Sequence, residues 1–158
     1  VDTVWVWKVK SKKDGTVDKL KARLCCRGFT QIYGQDYNET FAPVVRAASL
    51  RFQLADAVRR KLHLDQIDFA AAFLQSPIDG DVYLKPPPGI NVPKGFLLKL
   101  KKGMYGLKQS AHLWAKELST LLKELGFRQC VADPCLWVYD DGQGYITIST
   151  WVDDCIVA

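Results

Sequence analysis

The amino-acid sequence predicts an α+β fold, in which a mainly antiparallel sheet packs against helices. Short segments with alternating or β-branched residues are separated by turn residues, which is typical of antiparallel strands. Only two longer segments, about 47–62 and about 111–125, have apolar residues at helical spacing. These helices do not alternate regularly with the strands, so a parallel βαβ arrangement is not favoured.

The elements follow one another with clear turn signals. A strand over 4–10 and a strand over 19–25 flank the turn residues Asp14 and Gly15, and a loop occupies 28–43. The first helix has Ser49 as its candidate N-cap, and the second ends before Gly126. Further strands are predicted over 64–69, 81–85, 96–100, 136–139 and 145–151.

Composition limits the classes of protein that the chain can belong to. Its 158 residues are 48% hydrophobic and 25% charged, which fits one domain, or part of one, with a core. No apolar run reaches the roughly 20 residues of a membrane span, and no signal peptide is visible. Five cysteines without short-spaced pairs and two histidines favour buried thiols over a disulfide framework or a zinc site. We therefore expect an intracellular protein that is neither secreted nor membrane-bound.

The positive charge is concentrated near the start of the chain. The formal net charge is +5, and the excess of Lys and Arg lies within residues 1–34. In the strand over 19–25, period-two alternation places Lys19, Lys21 and Arg23 on one face. Such a face can lie against a nucleic-acid backbone or a triphosphate, but it can equally be a solvated sheet surface.

Two acidic positions are candidates for a metal site. Asp153 and Asp154 lie between apolar, β-branched runs, so we expect them to form the tight turn of a hairpin. Their mutual repulsion is relieved most simply by a divalent cation such as Mg²⁺, which prefers oxygen ligands. Asp68 ends another predicted strand, and the small residues 70–72 that follow leave room for a bulky ligand. Taken alone, these acids can also be ordinary turn or cap residues.

A series of short motifs, read together, resembles the reverse transcriptase of copia-type LTR retrotransposons. The resemblance covers essentially the whole chain. Its motifs are KARL at 21–24, GFTQ at 28–31, DYNETFAP at 36–43, QID at 66–68, AFL at 72–74, PPG at 87–89, YGLKQS at 105–110, ADPC at 132–135 and VDD at 152–154.

This resemblance implies the fingers and palm of a right-hand polymerase. Residues of about 1–45 would be fingers strands and loop, and about 46–158 would be palm with some fingers. The implied function is an RNA-directed DNA polymerase core that uses two Mg²⁺ ions, which Mn²⁺ can replace. The implied partners are an RNA template, a DNA primer, deoxynucleoside triphosphates and the integrase and ribonuclease H of a polyprotein. The implied location is a cytoplasmic particle or the nucleus.

The resemblance also implies roles for individual residues. The three acids would be catalytic and would converge on a common pair of ions. Five residues would meet the nucleotide, with Phe73 as the wall that disfavours ribonucleotides, and three would contact template or primer. The metal ligands are Asp68, Asp153 and Asp154; the nucleotide set is Lys21, Arg23, Phe73, Tyr105 and Gly106; the template and primer set is Lys108, Gln109 and Trp151.

The chain also departs from the family pattern. Trp151 stands where Tyr is usual, and Ala111 stands where Pro is usual. The chain is expected to be a fragment without thumb, primer-gripping region, connection or ribonuclease H domain. An alternative is therefore a catalytically inactive or domesticated remnant that at most binds nucleic acid. A two-metal nuclease or phosphatase is disfavoured because His63 and His112 match no such motif.

Overall fold

The computed structural model describes all residues, 1–158, as nine strands, two α-helices and two short 3₁₀ helices. The first half contains β1 (Thr3–Ser11), β2 (Val17–Cys26), α1 (Ala47–Arg60), β3 (Asp65–Asp68) and β4 (Tyr83–Leu84). The second half contains β5 (Leu98–Lys99), α2 (Ser110–Glu124), β6 (Arg128–Gln129), β7 (Leu136–Asp140), β8 (Tyr145–Trp151) and β9 (Asp154–Val157). The 3₁₀ helices are Gly28–Thr30 and Ala72–Leu74.

The strands form three separate sheets, and every pairing within them is antiparallel. A five-stranded sheet has the order β3-β9-β8-β7-β6, and β1-β2 and β4-β5 form two-stranded sheets. The predicted mixture of antiparallel sheet and few helices is therefore confirmed. None of the helices combines the length and apolar character that crossing a membrane requires.

The five-stranded sheet lies between α1 and α2. Trp137, Ile148 and Cys155 on one face share a buried core cluster with Trp114 and Leu118 of α2. Neighbouring residues of a strand point to opposite faces, so Thr147 faces away from this cluster.

On that opposite face, Gln53 of α1 holds the sheet by hydrogen bonds. Its Nε2 donates to the carbonyl oxygen and Oγ1 of Thr147 and to the carbonyl oxygen of Ile156, at 3.1 to 3.2 Å. The middle of β8 is thus covered on both sides, which gives its last residues a fixed place.

The β1-β2 hairpin projects from the rest of the molecule. Its predicted alternation is confirmed by the register, which pairs Lys8 with Lys21 and Lys10 with Lys19 on the basic face. Toward the tip of the hairpin the other face is open to solvent, and Trp7 and Leu20 are 73% and 75% exposed. The hairpin is attached mainly at its base, where the Cys26 N–H donates to the Tyr105 carbonyl at 2.7 Å.

The predicted N-cap of α1 is wrong. Ser49 lies inside the helix, and the N-cap residue Arg46 has no side-chain cap. Asp133, which is buried, instead accepts hydrogen bonds from the backbone N–H groups of Arg46 and Cys135, both at 2.9 Å. Burial opposes its ionisation, but these bonds and one from the Ser49 hydroxyl outweigh burial and lower the pKa of Asp133. A distant residue thus replaces the local cap.

The other element boundaries differ modestly from the predictions. The strands predicted over 81–85 and 96–100 shrink to the two-residue strands β4 and β5. Strand β6 was not predicted, because two residues at a sheet edge carry no readable period. The predicted stop of α2 at Gly126 is confirmed, since this residue has a φ of 88° and follows the last helical turn.

Candidate active site

The acidic residues become neighbours through the pairing of β3 with β9. In this register Asp68 lies opposite Asp154. The N–H of Phe69, the residue after Asp68, donates to the Asp153 carbonyl at 2.9 Å. The backbone of Asp68 therefore lies beside the backbone of the acidic pair, as expected.

The acidic turn is one residue earlier than the sequence predicted. Strand β8 ends at Trp151 and β9 begins at Asp154, and these two residues pair directly. The two turn residues are consequently Val152 and Asp153, and Asp154 belongs to the strand. Val152 has a φ of 55°, which is uncommon for a β-branched residue.

Two of the three acids line a single cleft. The cleft has a volume of about 380 Å³, and both Asp68 and Asp153 border it together with Lys21 and Arg23 of the hairpin. The small residues Ala70 and Ala71 also line it, as do Phe69 and Tyr105. Carboxylates and cations that line one cleft are the charges needed to hold a metal-bound polyphosphate.

Asp154 lies outside that cleft. Its Oδ1 accepts a hydrogen bond from Gln66 Nε2 at 3.3 Å, and it borders a separate pocket of about 140 Å³ with Leu50 and Trp151. No three His, Cys, Asp or Glu side chains are grouped closely enough to hold one metal ion. The expected convergence of all three carboxylates is therefore not found. A turn residue and the following strand residue point in different directions, and this separates Asp153 from Asp154.

An aromatic wall connects the hairpin to the 3₁₀ helix Ala72–Leu74. The guanidinium carbon of Arg23 lies 4.6 Å from the centroid of the Tyr105 ring. The Tyr105 ring in turn meets Phe73 edge to face, with centroids 5.0 Å apart. Phe73 is half-buried against the core and supports Tyr105, and of these two rings only Tyr105 lines the cleft.

The cations of the cleft repel one another. The Arg23 guanidinium, followed by partial loss of hydration and by Lys10 and Lys19, lowers the pKa of Lys21, and Asp68 offsets part of this effect. A bound anion would relieve the repulsion, so the cleft favours a negatively charged ligand.

The segment 105–110 joins the hairpin to the body by close backbone contact. Gly106 has a φ of 88°, and a Cβ at this position would lie 2.1 Å from the Cys26 carbonyl oxygen. A Cβ on Gly28 would in turn lie 2.2 Å from the Gly106 carbonyl oxygen. Both positions therefore require glycine. Gly106 thus has a structural role beside the predicted contact with nucleotide.

The structure corrects the expectation for Gln109. This side chain is fully buried, its Nε2 donates to the Asp36 carbonyl at 2.8 Å, and its Oε1 accepts from Gln31 Nε2 at 2.9 Å. It therefore cannot present its amide to template or primer. Lys108 remains exposed, with its Nζ 3.0 Å from the Tyr37 hydroxyl.

Trp151 is 54% exposed at the end of β8, beside the acidic turn. Its indole is thus open to a strand of nucleic acid, and its predicted contact with template or primer stays a prediction. Ala111 follows the first residue of α2 and lines a small cavity beside Pro43.

The contacts that two residues make in the site were not predicted. In the sequence, Gln31 belongs to a motif and Trp114 is an apolar residue of a helix. Their partners, Gln109 and Val152, are distant along the chain. No local pattern could have shown these contacts.

Comparison with known proteins identifies the family of the chain. The family model described as reverse transcriptase (RNA-dependent DNA polymerase) matches residues 1–158. The chain is 38% identical over 156 residues to the retrovirus-related Pol polyprotein from transposon RE1 of Arabidopsis thaliana, which covers 97% of the chain and 11% of that protein. It is 33% identical over 156 residues to the Pol polyprotein from transposon TNT 1-94 of Nicotiana tabacum, covering 97% of the chain and 12% of that protein.

A more distant relative is also a polyprotein of a transposon. The Transposon Ty1-BL Gag-Pol polyprotein of Saccharomyces cerevisiae is 32% identical over 148 residues, covering 92% of the chain and 8% of that protein. No solved structure matches significantly. The chain spans about a tenth of the length of these relatives. The match over the full chain shows that it belongs to the reverse transcriptase (RNA-dependent DNA polymerase) family, in its copia-type retrotransposon branch.

Proposed function

We propose that this domain is the catalytic core of an RNA-directed DNA polymerase, which adds deoxynucleotides to a DNA primer on an RNA template. The observation that carries the proposal is the shared cleft of Asp68, Asp153, Lys21 and Arg23. An acid at the end of β3, an acid in the turn before β9 and cations from the hairpin line the same space, as nucleotidyl transfer with two divalent cations requires.

All three acids are of a type that binds divalent cations, and two of them line the cleft. Asp68 and Asp153 offer carboxylate oxygens to the cleft, and Asp154 can join them when its side chain turns away from Gln66. Mg²⁺, or Mn²⁺ in its place, would when bound neutralise the triphosphate and make the primer hydroxyl more acidic. Asp68, Asp153 and Asp154 are the proposed ligands.

The hairpin residues are proposed to bind the triphosphate. Lys21 and Arg23 would neutralise the negative charge that develops on the departing pyrophosphate. Because Arg23 also lies over Tyr105, the ring fixes where the guanidinium can be placed. Phe73 holds Tyr105 edge to face, so the two rings together would form the wall that excludes a ribose 2′-hydroxyl.

The remaining site residues are proposed to serve template and primer. Lys108 and Trp151 are exposed and would contact the strands, whereas Gln109 positions the segment around Lys108. In this assignment residues of about 1–45 act as fingers strands and loop, and about 46–158 act as palm with some fingers. A site built from few phosphate contacts would hold duplex weakly, and its affinity would depend only modestly on salt, because the salt dependence scales with the number of phosphates neutralised.

The polyprotein relatives support a wider context. We propose that the domain works beside the integrase and ribonuclease H of a retrotransposon polyprotein, in a cytoplasmic particle or in the nucleus. The alternative is a catalytically inactive or domesticated remnant. Two observations favour that alternative: Trp151 stands in place of tyrosine, and the Asp154 carboxylate is turned toward Gln66.

Primer extension on a poly(A) template with Mg²⁺ or Mn²⁺ tests the proposal. The complete polymerase chain that contains these residues should extend the primer, and Asp153→Asn should abolish extension. Asp79→Asn makes the same chemical change at an exposed position outside the cleft and should leave extension intact. Extension that survives Asp153→Asn would overturn the assignment of Asp153, and a wild-type chain unable to extend would favour the remnant.

A further inference from the structure

Both carbonyl groups of the Val152–Asp153 turn are held from outside the hairpin. The indole Nε1–H of Trp114 donates to the Val152 carbonyl at 2.7 Å. The backbone N–H of Phe69 donates to the Asp153 carbonyl at 2.9 Å. The turn that carries one acid is therefore tied to α2 and to the residue that follows Asp68.

The conformation of this turn needs such support. A left-handed backbone is strained at a β-branched residue such as Val152, and it persists only where the surroundings impose it. The Trp114 bond ends on the carbonyl of that same residue. It therefore acts on the ψ angle of Val152, which sets the direction of the next peptide and of Asp153.

Trp114 itself has little freedom to move. Its side chain is 3% exposed within the cluster that includes Leu118 and Trp137. The Phe69 ring meets it edge to face, with centroids 5.1 Å apart. A donor fixed in this way can impose its geometry on the turn, because the turn has less packing of its own.

We propose that Trp114 is a positioning residue, which holds the turn in its left-handed form and so sets where the Asp153 carboxylate meets a divalent cation in the cleft. This inference rests on the proposed function, since it assumes that Asp153 is a cation ligand. Trp114 touches no reacting group, and its effect passes through the Val152 carbonyl.

Trp114→Phe tests the bond with little loss of packing, because phenylalanine keeps a ring but has no N–H. We expect Mn²⁺ affinity, followed by electron paramagnetic resonance, to fall roughly tenfold, as the loss of one buried hydrogen bond implies. The kcat of primer extension should fall by a similar factor, while the KM for nucleotide changes little.

Val152→Gly supplies a rescue that a purely structural role would not show. Glycine adopts a positive φ without strain, so the turn should no longer depend on the indole. In the Trp114→Phe background this substitution should restore most of the Mn²⁺ affinity. In the wild-type background it should change the affinity little.

Trp137→Phe is the matched control. Trp137 is a second buried tryptophan of the same cluster, 2% exposed, and it lies on β7 without a hydrogen bond to the turn. The two Trp→Phe variants should lower the melting temperature by similar amounts, but only Trp114→Phe should weaken Mn²⁺ binding. Equal Mn²⁺ affinity in both variants, or no rescue by Val152→Gly, would overturn the inference. If Asp153→Asn abolishes primer extension but Trp114→Phe binds Mn²⁺ with wild-type affinity, the proposed function is supported and the inference about Trp114 is wrong.

Discussion

The side-chain amides of Gln31 and Gln109 pair directly, with Nε2 of Gln31 donating to Oε1 of Gln109 at 2.9 Å. The pair is buried, and the Oε1 of Gln31 also accepts the backbone N–H of Lys108 at 2.7 Å. The loop after β2 is therefore connected to the segment before α2 by a buried network of hydrogen bonds. Networks of this kind stabilise a structure only when every member has its partner.

We expect Gln31→Leu and Gln109→Leu each to destabilise the domain by about 2–3 kcal/mol, since each leaves buried polar groups unpaired. The double variant should lose less unfolding free energy than the sum of the losses in the two single variants, because each amide depends on the other for its hydrogen bond. Urea unfolding of the four proteins in a double-mutant cycle measures this coupling. Additive losses would show that the two amides do not act as a unit.

Arg23→Gln should lower kcat/KM for nucleotide by roughly tenfold or more, because it removes a charge that faces the cleft and the contact with Tyr105. Lys19→Gln is the control, since Lys19 lies on the same face of β2 but does not line the cleft. Steady-state primer extension compares the two. Equal effects would mean that the hairpin acts through its overall charge and not through one position.

Gly106→Ala should be strongly destabilising, by about 3 kcal/mol or more, because it combines a positive φ with a clash against the Cys26 carbonyl. Gly142→Ala isolates the first effect. Gly142 has a φ of 83°, but a Cβ there would meet nothing within 4 Å. The Gly142→Ala variant should lose only about 1 kcal/mol of unfolding free energy. Thermal unfolding of both variants gives the difference, and similar losses would contradict the close approach of the two backbones.

Asp133→Asn should destabilise the domain by about 2 kcal/mol near neutral pH, because a buried charged acceptor of two N–H groups is lost. The folded-state pKa of Asp133 is lowered, so its contribution is complete above the unfolded value of about 3.9 and is lost as the pH falls toward the folded value. The gap in unfolding free energy between wild type and variant should therefore be constant from pH 7 to about 5 and narrow below about 4. A gap that widens on acidification would contradict this sign.

Much of the framework could be predicted from the sequence. Period-two alternation of Lys19, Lys21 and Arg23 gave the basic face of β2, and the strand ending at Asp68 was placed correctly. Motif resemblance gave the family, which the comparisons confirm.

The details that decide the site could not be predicted. A hairpin turn over 152–153 and one over 153–154 have nearly the same local pattern, and only the pairing of Trp151 with Asp154 distinguishes them. The same shift accounts for the separation of the Asp154 carboxylate from the cleft. The burial of Gln109 and the replacement of Ser49 by Asp133 as the cap of α1 both depend on partners far away in the chain. Such contacts follow from packing, which local sequence does not specify.

The proposed function requires that Asp68, at the end of β3, and Asp153, in the turn before β9, offer their carboxylates to one cation. Mn²⁺ titration of the complete polymerase chain, monitored by electron paramagnetic resonance, measures this most directly in the wild type and in the Asp68→Asn, Asp153→Asn and Asp79→Asn variants. We expect each of the first two variants to weaken Mn²⁺ binding by on the order of tenfold or more, with effects that are not additive, and we expect Asp79→Asn to bind Mn²⁺ like wild type. Wild-type affinity in Asp68→Asn would contradict the shared site.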